Sequence, residues 1–306
     1  MAMLSHRQGW SVGLVLFVFS FVFFTASANE TPTATYRTGA SEVRVTFFAT
    51  DQNDHPVEKI GKDDFAIVDG ETVIRNFRSL TRTSETALDV VAVVDSSGSV
   101  APRFRTTMND VLQLASREQF VTDDGFSVLS YNGARPLLLC NHDCRSPDTR
   151  QRLLTVKAAG PTPLFDTLTY AADIISARRK PEVRQILILF SDGNDNVSIN
   201  SARDALEAVL GSGALLYVVD LNKSPASEGS AFLERLAEAT GGRSFSVQDG
   251  AAGVLQAALT DLRASYVVTY PLPNRVAGFH SLRILPKHNQ TLRFHCRRGY
   301  YYGDHR

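Results

Sequence analysis

Residues 88–99, LDVVAVVDSSGS, decide the fold. An apolar, strand-like run from Leu88 to Val94 stops at the loop Asp95-Ser96-Ser97-Gly98-Ser99. From Phe104 to Phe120 the apolar residues Met108, Val111, Leu112, Ala115 and Phe120 then recur at helical spacing. The same alternation continues down the chain. Strand-like runs follow at Phe126 to Tyr131, Arg135 to Leu139, Ile186 to Phe190 and Leu215 to Val219. Helical patterns fit Asp148 to Lys157, Leu164 to Ala177, Ser201 to Leu210, Ala231 to Ala239 and Val254 to Leu262, with Gly241-Gly242 as a helix stop. This is the signature of an α/β fold, a Rossmann-like doubly wound domain with a mostly parallel central sheet, spanning residues 86–263.

The period changes on both sides of that domain. Glu42 to Ala49 begins with polar/apolar alternation, and Phe65 to Val68 and Thr72 to Phe77 flank the hairpin connection Asp69-Gly70-Glu71. Strand character returns at Tyr266 to Tyr270, Phe279 to Leu285 and Thr291 to Cys296. The strand-bearing stretch of each flank, from about residue 40 to 83 and from Tyr266 onward, has about 40 residues, near the lower limit for a core of its own. The ends of an α/β domain usually lie close together at its surface. The expectation is therefore one small β-sandwich built from residues 29–85 and 264–306, with the α/β domain inserted between its two parts.

Residues 1–28 read as a secretory signal peptide: Arg7, an apolar run from Trp10 to Phe24, and Ala26-Ser27-Ala28 as the signal for cleavage after Ala28. The run is about 15 residues, short of the roughly 20 that span a bilayer, so no integral span is expected after its removal and the protein is expected to be secreted or periplasmic. In an oxidising compartment, Cys140 and Cys144 of CNHDC fit a short-loop disulfide. The other reading is a metal knuckle with His142 and Asp143. Cys296 reads as a buried strand thiol.

Composition narrows the function. Of 306 residues, 32 are Lys or Arg and 32 Asp or Glu, a balance that argues against a nucleic-acid partner. A hydrophobic share of 43% with 21% charged residues excludes wholesale disorder. The neutrality is a cancellation: residues 29–85 hold 7 basic and 10 acidic groups (−3), residues 86–263 hold 17 and 21 (−4), and residues 264–306 hold 7 and 1 (+6).

Three loops carry the chemistry. Asp95-x-Ser97-x-Ser99 follows a strand, Gly160-Pro161-Thr162-Pro163 precedes a helix, and Ser191-Asp192-Gly193-Asn194-Asp195 follows another strand. In a doubly wound sheet, ligands gather at such strand ends where the strand order reverses. A hard divalent cation such as Mg²⁺ wants about six oxygens and keeps several waters. The hydroxyls of Ser97, Ser99 and Thr162 suit direct neutral ligands, and Asp95 and Asp192 suit coordinated waters. Neutral ligands leave the metal electron-poor, so it favours one more ligand from outside, most naturally a carboxylate on a partner. That points to recognition rather than catalysis.

With these loops in this order, the sequence resembles a von Willebrand factor type A (VWA) domain with its metal-ion-dependent adhesion site. The resemblance implies Mg²⁺ (or Mn²⁺ or Ca²⁺) held directly by Ser97, Ser99 and Thr162 and through water by Asp95 and Asp192. It implies a secreted adhesion or interaction module whose protein ligand presents an acidic side chain. Pro161 stands where the family commonly has a second Gly. Asp166 and Asp195 read as helix-start and loop-shaping residues, with an outer role around the metal as the sharper reading. The flanks HPVEKIGKDDFAIVDGETVIRNF, SYVVTY and RRGYYYG resemble secreted bacterial proteins of the VWFA-related, acidobacterial type.

Two other classes compete on the sequence. One is a structural envelope component in which the metal only clamps the loops. The other is a serine hydrolase using Ser97 or Ser99, against which stand the missing G-x-S-x-G elbow and the lack of a His in a triad context. His280, His288 and His295 read as exposed sheet-face residues. Arg293, Arg297 and Arg298 beside Tyr300 to Tyr302 read as an outer strand with its polar residues in solvent, rather than an anion or glycan patch.

Overall fold

Val90 to Val94 are each 0% exposed, and the reason is topological. In a computed structural model, β5 (Ala87–Val94) lies between parallel neighbours β6 (Gly125–Asn132) and β8 (Val183–Ser191) and is covered on both faces. The structure describes residues 42–82, 87–116, 125–142, 144, 146–180, 183–222, 224, 227–246 and 250–303. The signal-peptide stretch, Phe120 and Asp143 lie outside these.

The central sheet has the order β10-β9-β8-β5-β6-β7, with β7 (Arg135–Cys140), β9 (Leu215–Asp220) and β10 (Ser244–Ser246). All pairs are parallel except β6 with β7. Alternate side chains of a strand point to opposite faces. Val90, Ala92 and Val94 pack with α1 (Ala101–Ala115), α2 (Pro147–Thr155) and α6 (Gly250–Arg263). Val91 and Val93 pack with α3 (Leu164–Arg178), α4 (Ala202–Ser212) and α5 (Glu228–Thr240). Local chemistry sets the helix ends. Ser201 and Asp204 form a capping box on α4, and α4 and α5 stop at Gly213 and Gly241 in left-handed conformation. Helix α1 begins three residues before Phe104 because Pro102 is accommodated in its first turn. Cys140 and Cys144 are joined in a disulfide that ties the end of β7 to the following loop, and no metal-binding group of His, Cys, Asp or Glu occurs among the described residues.

The flanks form two four-stranded antiparallel sheets. One has the order β13-β1-β11-β4: β13 (Arg293–Cys296), β1 (Glu42–Thr50), β11 (Tyr266–Pro271), β4 (Ser79–Arg82). The other is β14-β12-β2-β3: β14 (Gly299–Tyr302), β12 (Gly278–Pro286), β2 (Phe65–Asp69), β3 (Thr72–Ile74). Each sheet mixes strands from before and after the α/β part. Val45, Phe47, Phe65, Ile67, Val268 and Leu282 meet in one core, with the Phe47 and Phe65 rings 4.9 Å apart.

Two of the three histidines differ from the sheet-face expectation. His280 is buried, stacked on Tyr300 with centroids 5.0 Å apart, and its Nε2 lies 2.7 Å from the Val276 carbonyl. A carbonyl only accepts, so Nε2 carries the proton. Beside it, Asp69 accepts the hydroxyls of Tyr270 (2.8 Å) and Tyr300 (2.9 Å). His295 stacks over Phe48 at 4.6 Å, and burial together with the nearby Arg243 charge pushes its pKa down to about 4. His288 is exposed. Cys296 is half-buried in β13, and burial lifts its thiol to about 12.

The basic tail is not left wholly to solvent. Arg297 donates to the Leu210 carbonyl in α4, Arg298 pairs with Glu238 in α5, and the Arg298 amide donates to Ala239 O at 2.8 Å. Gly241 permits this approach, since a Cβ there would lie 2.7 Å from the Cys296 carbonyl carbon. A second tie runs through Arg243. Its Nε is 3.1 Å from Oδ2 of the fully buried Asp261, and its Nη1 donates to Asp54 O at 3.3 Å in the sandwich. Among the described residues no helix is long and apolar enough to cross a membrane.

Burial raises the Asp261 pKa to about 7, against the pull of Arg243 and Tyr217. The folded state thus holds a proton that the unfolded chain releases near 3.8, and this group's contribution to stability falls as pH rises from about 4 to 7. In urea melts at pH 4.5 and 7, the wild type should lose stability relative to Asp261→Asn by up to about 1.4 kcal/mol per pH unit. Parallel pH profiles would refute this assignment.

Candidate metal centre

Strands β5 and β8 run in register, Val94 opposite Phe190, so their C-terminal loops emerge side by side. From β5 the chain turns towards β6 and β7, and from β8 towards β9 and β10, which makes this the switch point of the sheet. The Asp95 amide donates to Phe190 O at 2.9 Å, and the Ser191 hydroxyl donates to Asp95 Oδ2 at 2.9 Å. Asp95 Oδ1 accepts the Ser97 amide at 2.8 Å. This turn presents the Ser97 and Ser99 hydroxyls together, 3.0 Å apart.

The second loop docks on the first through the backbone. The Ala159 amide donates to Ser96 O at 2.8 Å, and the Gly98 amide donates to Gly160 O at 3.2 Å. The third loop grips the second. Thr162 donates its amide to Asn196 Oδ1 at 2.9 Å, and its carbonyl accepts the Asn196 amide at 3.1 Å. Asp192 Oδ1 accepts the Asn194 amide at 3.1 Å, while the Asp192 carbonyl accepts Asn222 Nδ2 at 2.7 Å. Behind this loop the first turn of α5 leaves no spare volume: a Cβ on Gly229 would lie 2.1 Å from Asp192 O.

Backbone pairing thus brings the loops of Asp95, Ser97, Ser99, Thr162 and Asp192 together at one end of the sheet. Asp166 and Asp195 act as braces. Asp166 accepts the Ile199 amide (3.1 Å) and the Asn200 amide (2.8 Å), and Asp195 accepts the Phe165 amide (3.0 Å) and the Ser198 amide (3.2 Å). Partial burial raises the Asp166 pKa, but the Asn200 and Ile199 amides outweigh it and leave the group below the ordinary value. Sequence reasoning missed Ser96, Ser130, Ser191, Asn196 and Asn222. Ser191 stood in the quoted loop, but its role depends on the neighbouring strand. Ser130 donates to Val94 O at 2.8 Å and lies 2.9 Å from Ser96 Oγ, contacts between strands that no local motif encodes.

The electrostatics are one-sided. Asp95 is 0% and Asp192 7% exposed, and no ion pair reaches either among the described residues. Burial raises the Asp95 pKa, hydrogen bonds from Ser97 and Ser191 lower it, and the Asp192 charge raises it again. Concentrated negative charge beside neutral oxygens suits a cation. The donor set also fits in size: two ligands at 2.1 Å in an octahedron are about 3.0 Å apart, and Ser97 Oγ and Ser99 Oγ are 3.0 Å apart. Each Asp95 oxygen already accepts one hydrogen bond, which favours contact with an ion through water.

The von Willebrand factor type A domain profile matches residues 89–261. Similar solved structures include a von Willebrand factor type A protein from Catenulispora acidiphila: 13% identity, TM-score 0.45, covering 84% of this chain and 72% of that one. The manganese-loaded TRAP protein of Plasmodium vivax has 16% identity and TM-score 0.43, with coverage of 76% and 97%. The vWF domain of the type V pili tip protein Mfa5 from Porphyromonas gingivalis has 14% identity and TM-score 0.43, with coverage of 58% and 96%. No curated protein matches the sequence.

Gly193 has φ +78, and a Cβ there would meet Gly229 O at 2.5 Å. Gly193→Ala should cost at least about 1–3 kcal/mol in chemical denaturation. An unchanged midpoint would mean that the Asp192 loop is not held as described.

Proposed function

The chain belongs to the von Willebrand factor type A domain family, and from that premise we propose that it is a secreted, metal-dependent protein-binding module with a metal-ion-dependent adhesion site. The observation that carries this is the hydroxyl pair of Ser97 and Ser99, 3.0 Å apart, together with the buried carboxylates of Asp95 and Asp192, which form no ion pair among the described residues. Ser97, Ser99 and Thr162 would hold the ion directly, and Asp95 and Asp192 through water. Mg²⁺ (or Mn²⁺ or Ca²⁺), when bound, supplies an electron-poor centre for an acidic side chain of the partner. The chain's own residues orient the donors and exclude bulk water. Asp95 is locked by Ser97 and Ser191, and Thr162 is pinned through its backbone to Asn196. A hydrolase reading gains no support: the Ser97 and Ser99 hydroxyls bond each other, and among the described residues no histidine bonds either.

Ile199 adds to the binding reading. It is 96% exposed, with Val197 at 40%, three residues beyond the Asn196 that grips Thr162. Its amide is fixed by Asp166, so an apolar side chain is displayed on a braced loop at the rim of the site. Preorganised apolar surface of this kind lowers the ordering cost of association. Secretion rests on residues 1–28, and the flanks support placement with the acidobacterial-type VWFA-related proteins. In this reading residues 86–263 are the binding domain and the sandwich of 29–85 and 264–306 its mount.

Capture of partners from the native envelope fraction should require Mg²⁺ or Mn²⁺ and should be abolished by chelator and by Asp95→Ala, with the far-UV circular dichroism of the variant matching the wild type. Equal capture by the variant and in chelator would sink the proposal. Ile199→Ser should weaken capture about tenfold while leaving the Mn²⁺-induced rise in melting temperature intact. Undiminished capture would remove Ile199 from the binding surface.

A further inference from the structure

Beneath the candidate metal centre lies a polar group that the ligand set leaves unused. Tyr131, in β6, is 5% exposed, and its phenol oxygen has no hydrogen-bond partner among the described residues. Buried polar groups almost always have partners, and an orphan calls for a reason such as a bound water or ion. The surroundings supply one. Burial, followed by the nearby negative charges of Asp95, Asp192 and Asp195, raises the phenol's pKa well above its ordinary value, and the Ser191 hydroxyl close by pulls the other way. Its backbone is tied to the first loop: the Tyr131 amide donates to Ser96 Oγ, and Ser96 Oγ lies within hydrogen-bond range of Tyr131 O, each at 3.4 Å. A buried donor without a partner among the described residues therefore stands close enough to three carboxylates to feel their charge, in a strand bonded to the first loop of the site. Phenylalanine would fill the same space without stranding a hydroxyl.

We propose that Tyr131 is a positioning residue of the metal centre, its phenol donating to a water held between the cation and Asp95 or Asp192. A water there has a full set of contacts: one lone pair on the ion, two hydrogens on carboxylates, and a second lone pair accepting from Tyr131. The inference rests on the metal-binding reading above.

Isothermal titration of the purified full chain with Mn²⁺ and Mg²⁺, beside thermal melts in EDTA, tests it with Tyr131→Phe. The expected result is affinity about tenfold weaker with a melting temperature in EDTA that is unchanged or higher, because the variant loses only an unpaired hydroxyl. Wild-type affinity in the variant overturns the proposal. A lower melting temperature in EDTA also overturns it, since the phenol would then have a partner in the metal-free chain. A wild-type chain that binds neither ion overturns the metal reading itself, an outcome distinct from the first two.

Discussion

The parallel pairing of β5 with β8 organises the α/β part. It buries Val90 to Val94 and Ile186 to Phe190 so completely that neither strand can shift register without exposing a core face. With the register set, Asp95 must emerge beside Ser191, and the hydrogen bond between them follows. Each later step hangs on that one. The carboxylate turns the backbone to present Ser97 and Ser99, the first loop receives the second through Ala159 and Gly98, and Asn196 closes the third over Thr162. The apolar core is therefore the instrument that gathers oxygen atoms from three separate stretches of chain.

The sandwich solves a different problem. Neither flank could bury enough apolar surface by itself, and each sheet is completed only when strands from both ends of the chain pair. The α/β part then leaves and re-enters through β4 and β11, which are hydrogen-bonded neighbours. Opposite net charge on the flanks finds a modest structural counterpart in Arg293 with Asp54, 3.5 Å apart and exposed, a kind of pair that contributes little. Much of the positive tail is spent elsewhere. Arg297 and Arg298 grip α4 and α5, and Arg243 carries the opposite tie from the buried Asp261 to the Asp54 carbonyl. These contacts join the inserted part to its mount at two places.

Strands with long apolar runs were legible, Leu88 to Val94 and Ile186 to Phe190 to within a few residues. The strands that were missed are short or lie at edges. β4 exposes three of its four residues, and β10 has only three. In such strands the ladder, not the side-chain period, makes the element. His280 and His295 were misplaced for a related reason. Alternation shows that two sets of residues face opposite ways, but the choice of inner face belongs to the partner sheet. Stacking on Tyr300 and on Phe48 decided it.

Sequence alone determined the class of fold, the three hydroxyl and carboxylate loops and the split of the flanks, because these depend on local period, loop composition and order along the chain. Tertiary structure alone decided the rest. It put Ser191 against Asp95, Asn196 against Thr162 and the Tyr131 amide against Ser96, since each is a contact across strands or loops 30 or more residues apart. It also decided that the basic tail grips the helices. Local patterns report what a residue needs, whereas only the packed chain shows which partner meets that need.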